Sequence, residues 1–537
     1  MQPDLNRALA SGSSEDLRAV SKWWASGLNT RSTDQHIAKK LVDRGATLTV
    51  HAAAGLGLTD HLVRMLEADP SLIDAKGCDA CTPLHFARDV ATASLLLAHG
   101  ARIDARDEDH ESTPAQWSIR EAPEVARFLL DRGATADIFI AAALGDRDLA
   151  ARLIEANPHC VGYRIGRLPA FPPIGHNKRG GTIYQWTLAF NSYPHQIALL
   201  KGHTDVFDLL WAKSDDTTRL LVSCVLARRE EATAIVARHP GIVASLPPED
   251  LELMPRYCWE TNTNYNAVKL MLDLGFPIAH PERSHGYTAL HNAAWSGSGD
   301  LVDLLLARGA QVDVVDPAFH ATPLGFAIYD CLVEKRHPEG EFGRVAKSLI
   351  EAGSPWDAFD YPTGDARLDD VLMEYLPHRI DGAAILGDEA LVFRLLGDAP
   401  SSDHLAEALG GAAKGGHGEL CRRLLARGAD VNSAAGADRS TPLMHALKGS
   451  SAPGSSATIG LLMNAGADVG KRNNHGTLPL HMAAWYGASL DTVRLLLRSG
   501  GTAHINTKND FGQTPAGIAK ERGRSEIVAL FGEIERP

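Results

Sequence analysis

Residues His285–Asp313 read HGYTALHNAAWSGSGDLVDLLLARGAQVD, and this stretch decides the fold. Apolar residues at helical spacing predict a first helix over about 289–296 and a second over about 300–307. Gly297 should end the first helix and Gly309 the second, each in the left-handed conformation that glycine adopts readily. Helices this short are not stable alone in water, so the pair must pack against neighbouring units.

The same unit recurs along the chain. A Thr-Pro or Leu-Pro pair opens six further copies, and most of these continue to a leucine-rich stretch and a glycine. These openings begin at Thr82, Thr113, Thr322, Thr441, Leu478 and Thr514. Recurrence of this kind is typical of a solenoid, in which each repeat contacts only its neighbours.

These motifs resemble the ankyrin repeat, whose signature is a Thr-Pro-Leu-His helix start, a glycine between two helices and a Leu-Leu-x-x-Gly-Ala ending. The stretch Thr82–His85 reads TPLH, and Leu478–His481 reads LPLH. The resemblance implies an all-α solenoid of helix-turn-helix repeats with β-hairpin loops. We count about 14 repeats and expect one continuous array.

Departures from the repeat pattern divide the chain into six segments. We predict an N-terminal helical cap (1–33), ankyrin-like repeats (34–156), a basic and aromatic insert in a hairpin loop (157–192), degenerate repeats (193–282), repeats with short inserts (283–513) and a C-terminal capping repeat (514–537).

Composition narrows the function classes. A net charge of −13 argues against general nucleic-acid binding. Seven scattered cysteines form no disulfide framework, as expected in a reducing compartment. The residues Met1–Leu5 do not resemble a signal peptide, and no apolar run is long enough for a membrane span. We therefore predict a cytoplasmic protein, and the excess of arginine over lysine with frequent alanine and glycine favours a bacterial source.

Familiar catalytic signatures, such as a phosphate loop, a nucleophile elbow or a zinc-protease motif, are absent from the sequence. We predict no cofactor and no metal site, and we lean against an enzyme. The resemblance implies that His85, His291 and His481 brace helix starts by hydrogen bonding. Cys78 and Cys81 form a C-x-x-C pair, but a zinc site needs two more ligands at a matching spacing.

The insert is the main anomaly. Residues 156–204 contain no Asp or Glu, although the chain has 66 in 537 residues and about six would be expected. Arginines suited to carboxylate or phosphate alternate there with aromatic residues that could form apolar walls. The weak alternation over Thr182–Leu188 predicts a short strand. The candidate ligand-binding residues, including three from later repeats, are Arg164, Arg167, Lys178, Arg179, Tyr184, Trp186, Arg256, Trp259 and Trp295.

Several interpretations of the insert stay open. It is a packed loop, a site for an acidic peptide or protein surface, or a pocket for a small anion. Base stacking on single-stranded nucleic acid is the interpretation that the net charge favours least. If such a pocket were catalytic, the candidates for proton transfer would be His176, His195 and Glu260.

The resemblance implies a binding scaffold that recognises another protein through the concave face and the hairpin loops. The alternative is an atypical enzyme or receptor with a pocket for a small carboxylate or phosphate, formed by residues 159–195 and 256–295. We expect neither a nucleic-acid nor a membrane partner.

Overall fold

A computed structural model describes residues 3–28, 30–31, 33–167, 169–171, 181–259, 263–283 and 285–534. In these residues the fold is an all-α repeat solenoid, as the resemblance implies. The chain divides into two compact units, Met1–Leu246 and Pro247–Pro537, which we call the first and second units. Among the described residues, none of the helices combines the length and apolar character that crossing a membrane requires.

The helices of the first unit are short, and most of them come in pairs. They are α1 (Leu5–Ser11), α2 (Ser14–Trp24), α3 (Gln35–Asp43), α4 (Val50–Leu56), α5 (Thr59–Ala68), α6 (Val90–Ala98), α7 (Pro114–Ser118), α8 (Pro123–Leu130), α9 (Ile138–Leu144), α10 (Arg147–Ala156), α11 (Pro194–Leu200), α12 (Thr204–Lys213), α13 (Asp216–Val225) and α14 (Arg229–Arg238). Tighter 3₁₀ turns lie at Pro70–Asp74, Cys78–Ala80, Pro83–Phe86, Pro158–Gly162 and Val243–Ser245.

The second unit continues the same pattern. Its helices are α15 (Pro248–Leu251), α16 (Leu253–Arg256), α17 (Tyr265–Asp273), α18 (Ala289–Trp295), α19 (Gly299–Ala307), α20 (Pro323–Tyr329), α21 (Phe342–Glu351), α22 (Ala366–Tyr375), α23 (Ile380–Leu386), α24 (Glu389–Leu396), α25 (Ser402–Lys414), α26 (Gly418–Ala426), α27 (Pro442–Lys448), α28 (Ser455–Asn464), α29 (Pro479–Tyr486), α30 (Leu490–Arg498), α31 (Pro515–Glu521) and α32 (Ser525–Ile534). A π-helical turn at Asp330–Glu334 extends α20, and 3₁₀ turns lie at Ala358–Asp360, Leu376–His378 and Gly501–His504.

The repeat at 285–313 folds as its sequence predicts. Helices α18 and α19 lie within one residue of the expected bounds. Gly297 has a φ of 63° and Gly309 a φ of 83°, so both glycines take the left-handed conformation that ends each helix.

The helices stack in two rows. In the second unit the first helices of successive repeats pack together, as α18 does on α20 and α25 on α27. The second helices form the other row, in which α26 packs on α28 and α30 on α32. Leucine, alanine and other apolar side chains are buried between the rows and form the core. Each short helix therefore gains from its neighbours the burial that it lacks alone.

The predicted β-hairpins are present only as tight turns. Asp316 N donates to Ala321 O over 3.1 Å, and Glu282 N to Tyr287 O over 2.9 Å, and each turn has one further backbone bond, to Asp316 O or to Glu282 O. The described residues contain no strand, and their one isolated bridge joins Ala435 and Ser440. One or two pairings per turn are too few to form a ladder.

The strand predicted at Thr182–Leu188 is wrong. The chain turns there and forms a π-helical turn over Gln185–Ala189. Ile183 O accepts hydrogen bonds from Trp186 N at 3.0 Å and Thr187 N at 3.1 Å. These local bonds satisfy the backbone within the segment, so it does not need a neighbouring strand.

Candidate functional site

The predicted ligand-binding residues fall in both compact units. The insert, with Arg164, Arg167, Tyr184 and Trp186, belongs to the first unit, whereas residues 256–295 belong to the second. Four candidates lie outside the described residues, namely His176, Lys178, Arg179 and Glu260.

Arg164 and Arg167 both contact the side chain of Asn191. Arg164 Nη1 lies 3.5 Å from Asn191 Oδ1, and Arg167 Nε lies 3.3 Å from the same oxygen. Their guanidinium groups also lie over the rings of Tyr193 and Phe190, at 5.7 and 5.4 Å from the ring centres. The two arginines therefore hold the two ends of the insert together, which is the structural role of a packed loop.

Tyr184 anchors the insert to helix α9. Its hydroxyl donates to Asp137 Oδ2 over 2.9 Å, and Gln116 Nε2 donates to the same oxygen over 2.9 Å. The other oxygen of Asp137 accepts from the backbone amides at the start of α9. Burial raises the pKa of both Asp137 and Tyr184. Tyr184 is fully buried, so it supports the loop rather than facing a ligand.

A cavity of about 430 Å³ lies beside this anchor in the first unit. Phe139 and Phe171 form part of its apolar wall, and Arg106, Glu111 and Asp137 are its charged residues in the described chain. Arg164 and Arg167 do not line it. The described lining therefore lacks the excess of positive charge that a pocket for a small anion requires.

The remaining candidates of the first unit are separated. Trp186 is 71% exposed, and its carbonyl accepts from Arg120 Nη1 over 3.1 Å. His195 is buried, with its Nε2 3.0 Å from Ser214 Oγ. Burial lowers the pKa of His195 to about 4, so it is a weak base without access to solvent.

In the second unit, Arg256 is held by carboxylates of its own chain. Its Nη2 lies 3.2 Å from Glu252 Oε2 and 3.4 Å from Glu282 Oε2, and both glutamates are almost completely buried. An arginine between two buried carboxylates is needed to neutralise them. Arg256 is therefore structural in this geometry, and it is not placed to receive an anion.

The two tryptophans predicted in this region do come together. Trp259 and Trp295 have ring centres 6.3 Å apart, and both are partly exposed. Four further aromatic residues extend the contact, and we call the whole set the aromatic surface. Its members are Trp259, Tyr287, Trp295, Phe319, Phe326 and Tyr329.

Ring contacts run continuously through the aromatic surface. Tyr287 stacks on Trp259 at 6.0 Å and on Phe319 at 6.5 Å, and its edge meets Phe326 at 4.8 Å. Trp295 contacts Tyr329 at 5.9 Å. Phe319 is 70% exposed and Tyr329 is 48% exposed, so this cluster reaches the solvent.

Local structure fixes the members of the aromatic surface. Asp316 Oδ1 accepts from Ala318 N and Phe319 N, and its Oδ2 accepts from Ala321 N, which sets the turn that carries Phe319. Trp295 is the last residue of α18, whereas Phe326 and Tyr329 are three residues apart on α20 and share a face.

Sequence reasoning missed Tyr287, Phe319, Phe326 and Tyr329. The available signal was the density of aromatic residues within two consecutive repeats, at helix ends and turn tips. The sequence spacing alone does not indicate that a turn residue such as Phe319 reaches Tyr287, which lies 32 positions earlier.

The repeat histidines brace helix starts, as the resemblance implies. His291 Nδ1 lies 2.8 Å from Thr288 Oγ1, and its Nε2 lies 3.3 Å from Ala321 O in the next turn. His85 makes the same pair of contacts with Thr82 and Ser112, each at 3.0 to 3.1 Å. Burial lowers the pKa of His85 to about 4, so the ring is neutral at physiological pH.

Cys81, His85 and Asp107 bring potential metal-ligating atoms within 4.8 Å of one another. Both ring nitrogens of His85 are engaged in its bracing hydrogen bonds. Asp107 accepts from Ser112 N at 3.0 Å and from Trp117 Nε1 at 2.9 Å. Burial also raises the pKa of the Cys81 thiol, which opposes formation of the thiolate. The trio therefore fits a hydrogen-bonded core better than a metal site.

Comparison with known proteins agrees with this architecture. Residues 285–317 match the family model described as ankyrin repeat, and residues 450–534 match the one described as ankyrin repeats (3 copies). A 115-residue stretch is 33% identical to an ankyrin repeat protein of fowlpox virus (strain NVSL), covering 21% of this chain and 33% of the viral protein. The match thus spans about a third of that relative's length. These matches support an ankyrin repeat protein, and repeats of this class generally mediate protein–protein interaction.

Proposed function

We propose that this chain is a binding scaffold and that its partner protein docks on the aromatic surface of the second unit. The exposure of that surface carries the proposal. Of the eleven large hydrophobic side chains that are exposed in the described residues, two belong to this surface, Phe319 and Tyr329, and the rings that join them are in continuous contact. Isolated exposed apolar residues are ordinary, but a contiguous group of them is typical of an interaction site.

The residue types support a protein partner. Tryptophan and tyrosine are enriched among the residues that contribute most to protein–protein binding, because they bury a large area with few rotatable bonds. Half-buried rings such as Trp295 would be fixed before binding, since Phe326 and Tyr329 already pack against them. Binding would then cost little side-chain entropy.

The cellular setting belongs to the same proposal. All seven cysteines are free, which agrees with a reducing compartment such as the cytoplasm. The alternative of a small anionic ligand stays a prediction for the first unit. The engagement of Arg164 and Arg167 with Asn191 does not favour it.

The test compares two variants of the second unit. The double variant Phe319→Ser with Tyr329→Ser removes the most exposed rings of the aromatic surface. Phe511→Ser is the matched control, because Phe511 is 70% exposed, as Phe319 is, and also contacts an aromatic ring, that of His475 at 5.7 Å. We expect both variants to keep the fold, since exposed side chains contribute little to stability.

The readout is quantitative affinity capture from the source cell, followed by binding of the purified partner. A partner retained by the wild type and by Phe511→Ser should be lost or weakened about tenfold or more by the double variant. A partner bound equally by all three proteins would place the interface elsewhere and contradict the proposal.

A further inference from the structure

A second cavity adjoins the aromatic surface in the second unit. It measures about 600 Å³ and is lined by residues of α20 on one side and of α23 and α25 on the other. Leu324 and Ile328 face it from α20, the helix that also carries Phe326 and Tyr329. The aromatic surface and this cavity therefore share one helix.

The lining of this cavity is rich in carboxylates. Its acidic residues are Asp357, Asp360, Asp381, Asp403 and Glu407, and its basic residues are Arg379 and Arg439. We call this space the acidic cavity. The excess of carboxylates over cations in the lining gives it a negative potential that low-dielectric walls would focus.

Three of the five carboxylates already have partners in the protein. Asp381 holds Arg379 at 2.8 Å, Asp360 holds Lys448 Nζ at 2.8 Å, and Asp357 accepts from Ala437 N at 2.9 Å. The pairs with Arg379 and Lys448 show that carboxylates in the wall of the acidic cavity bind guanidinium and ammonium groups.

Asp403 and Glu407 are different. They lie one turn apart on α25, and neither forms a salt bridge with any described residue. Glu407 is partly buried, and burial followed by the nearby charge of Asp381 raises its pKa. Arg379 and His404 act on Glu407 electrostatically without forming a salt bridge with it, so a further cation close to this carboxylate would favour its ionised form.

Aromatic and carbonyl groups around the acidic cavity suit the same chemistry. Arg379 lies over the ring of Trp356 at 5.0 Å, and Lys414 Nζ donates to the carbonyl of Tyr361. Near the acidic cavity, cations of this chain thus contact an aromatic ring, a carboxylate and a carbonyl group, which are the groups that bind a cation.

We propose that the docking partner presents a basic segment, with an apolar side chain on the aromatic surface and a lysine or arginine in the acidic cavity beside Asp403 and Glu407. This inference rests on the proposed function and adds the chemistry of the partner. One helix separates the two sites, so the two side chains would be about 10 Å apart, or roughly three residues of extended chain. The net charge of −13 also attracts a basic partner at long range.

The probe is a phage-displayed library of random 12-residue peptides selected on the immobilised full-length chain. Enriched peptides are synthesised with a fluorophore, and their Kd is measured by fluorescence anisotropy. We expect enrichment of lysine or arginine about three residues from an apolar residue. We also expect Kd to rise with added sodium chloride.

Two charge-matched variants test the site. Asp403→Asn with Glu407→Gln should raise Kd about tenfold. Glu419→Gln with Asp491→Asn changes the net charge equally at exposed positions of the second unit, and it should leave Kd within about twofold. Circular dichroism and thermal midpoints confirm that each variant is folded before binding is measured.

The outcomes separate the two proposals. Selected peptides that require Phe319 and Tyr329 but carry no excess of basic residues, or that ignore the loss of Asp403 and Glu407, overturn this inference and leave the proposed function standing. A selection that yields no peptide dependent on Phe319 and Tyr329 counts against both.

Discussion

The role of a single charged side chain in this protein depends on the charges packed around it. Arg256 lies between two buried glutamates, so its charge is used within the fold. By contrast, burial and the neighbouring positive charge of Lys448 disfavour the charged form of Lys414 and lower its pKa to about 7. Lys414 Nζ donates a hydrogen bond to the carbonyl oxygen of Tyr361. A buried lysine of this kind opposes folding whenever it must be protonated.

Lys414 should make stability depend on pH in a defined window. The pKa of Lys414 is about 7 in the folded protein, against 10.5 for the unperturbed side chain, so the unfolded chain binds more protons between these values. The free energy of unfolding should therefore rise as pH increases from 7 toward 10. Between pH 7 and 9.5, the free energy of unfolding of the Lys414→Met variant should rise by about 3 kcal/mol less than that of the wild type.

Urea unfolding at several pH values measures this effect. Lys520→Met, at an exposed position on α31 of the same unit, is the control and should follow the wild type. Equal pH profiles for Lys414→Met and the wild type would show that Lys414 is charged in the native state at neutral pH.

At the scale of elements, the insert depends on helix α9. Asp137 accepts two amide hydrogen bonds at the start of α9 and two side-chain hydrogen bonds, from Gln116 and Tyr184. This arrangement satisfies a partly buried carboxylate and ties residues 182–184 to the repeat before them. The start of one helix therefore positions a loop that lies 47 residues further along the chain.

Replacing Tyr184 by Phe should destabilise the first unit. The substitution removes one hydrogen bond to a partly buried carboxylate, and it should lower the free energy of unfolding by about 1 to 3 kcal/mol. The control is Tyr265→Phe, because Tyr265 is 41% exposed, and it should cost less than about 0.5 kcal/mol. Thermal midpoints and limited proteolysis around residue 184 are the measurements. An unchanged midpoint for Tyr184→Phe would mean that water replaces the lost bond.

Across the whole molecule, neutral histidines link the repeats. His85, His195 and His445 each have a pKa that burial lowers to about 4, and burial also lowers the pKa of His51, His291 and His481. Each of His85, His291 and His481 joins its own helix start to the turn of the following repeat. Protonating them breaks contacts within several repeats of each unit.

The protein should therefore lose stability in mild acid. Because the folded pKa of these histidines lies below 6.5, the unfolded state binds more protons, and stability falls as pH drops from about 6.5 to 4. His110 opposes this trend, since Asp107 raises its pKa. For His85, the full shift of the pKa from 6.5 to about 4 corresponds to a loss of about 3 kcal/mol in the free energy of unfolding.

Urea midpoints at pH 7, 5.5 and 4.5 measure the loss. The variant His85→Gln should be less stable than the wild type at pH 7 and should show a shallower fall with pH. If the wild type were equally stable at pH 7 and 4.5, the histidines would not be held neutral. Loss that begins only below about pH 3.8 would implicate carboxylates such as Asp107, whose pKa is lowered to about 2.

The sequence by itself determined the bounds of α18 and α19, and its resemblance to the ankyrin repeat implied the repeat class and the role of the bracing histidines. The helix bounds follow from local spacing, because an apolar face recurs at helical period and glycine ends a helix. Local rules of this kind do not depend on which distant residues are neighbours.

Only the tertiary structure decided which side chains meet. Arg164 and Arg167 converge on Asn191, Arg256 meets two glutamates, and Phe319 joins rings from earlier turns. Each contact joins segments whose separation in space depends on how successive repeats stack. A composition pattern can show that arginine and aromatic residues are abundant, but burial and the nearest opposite charge determine whether they face a partner or the core.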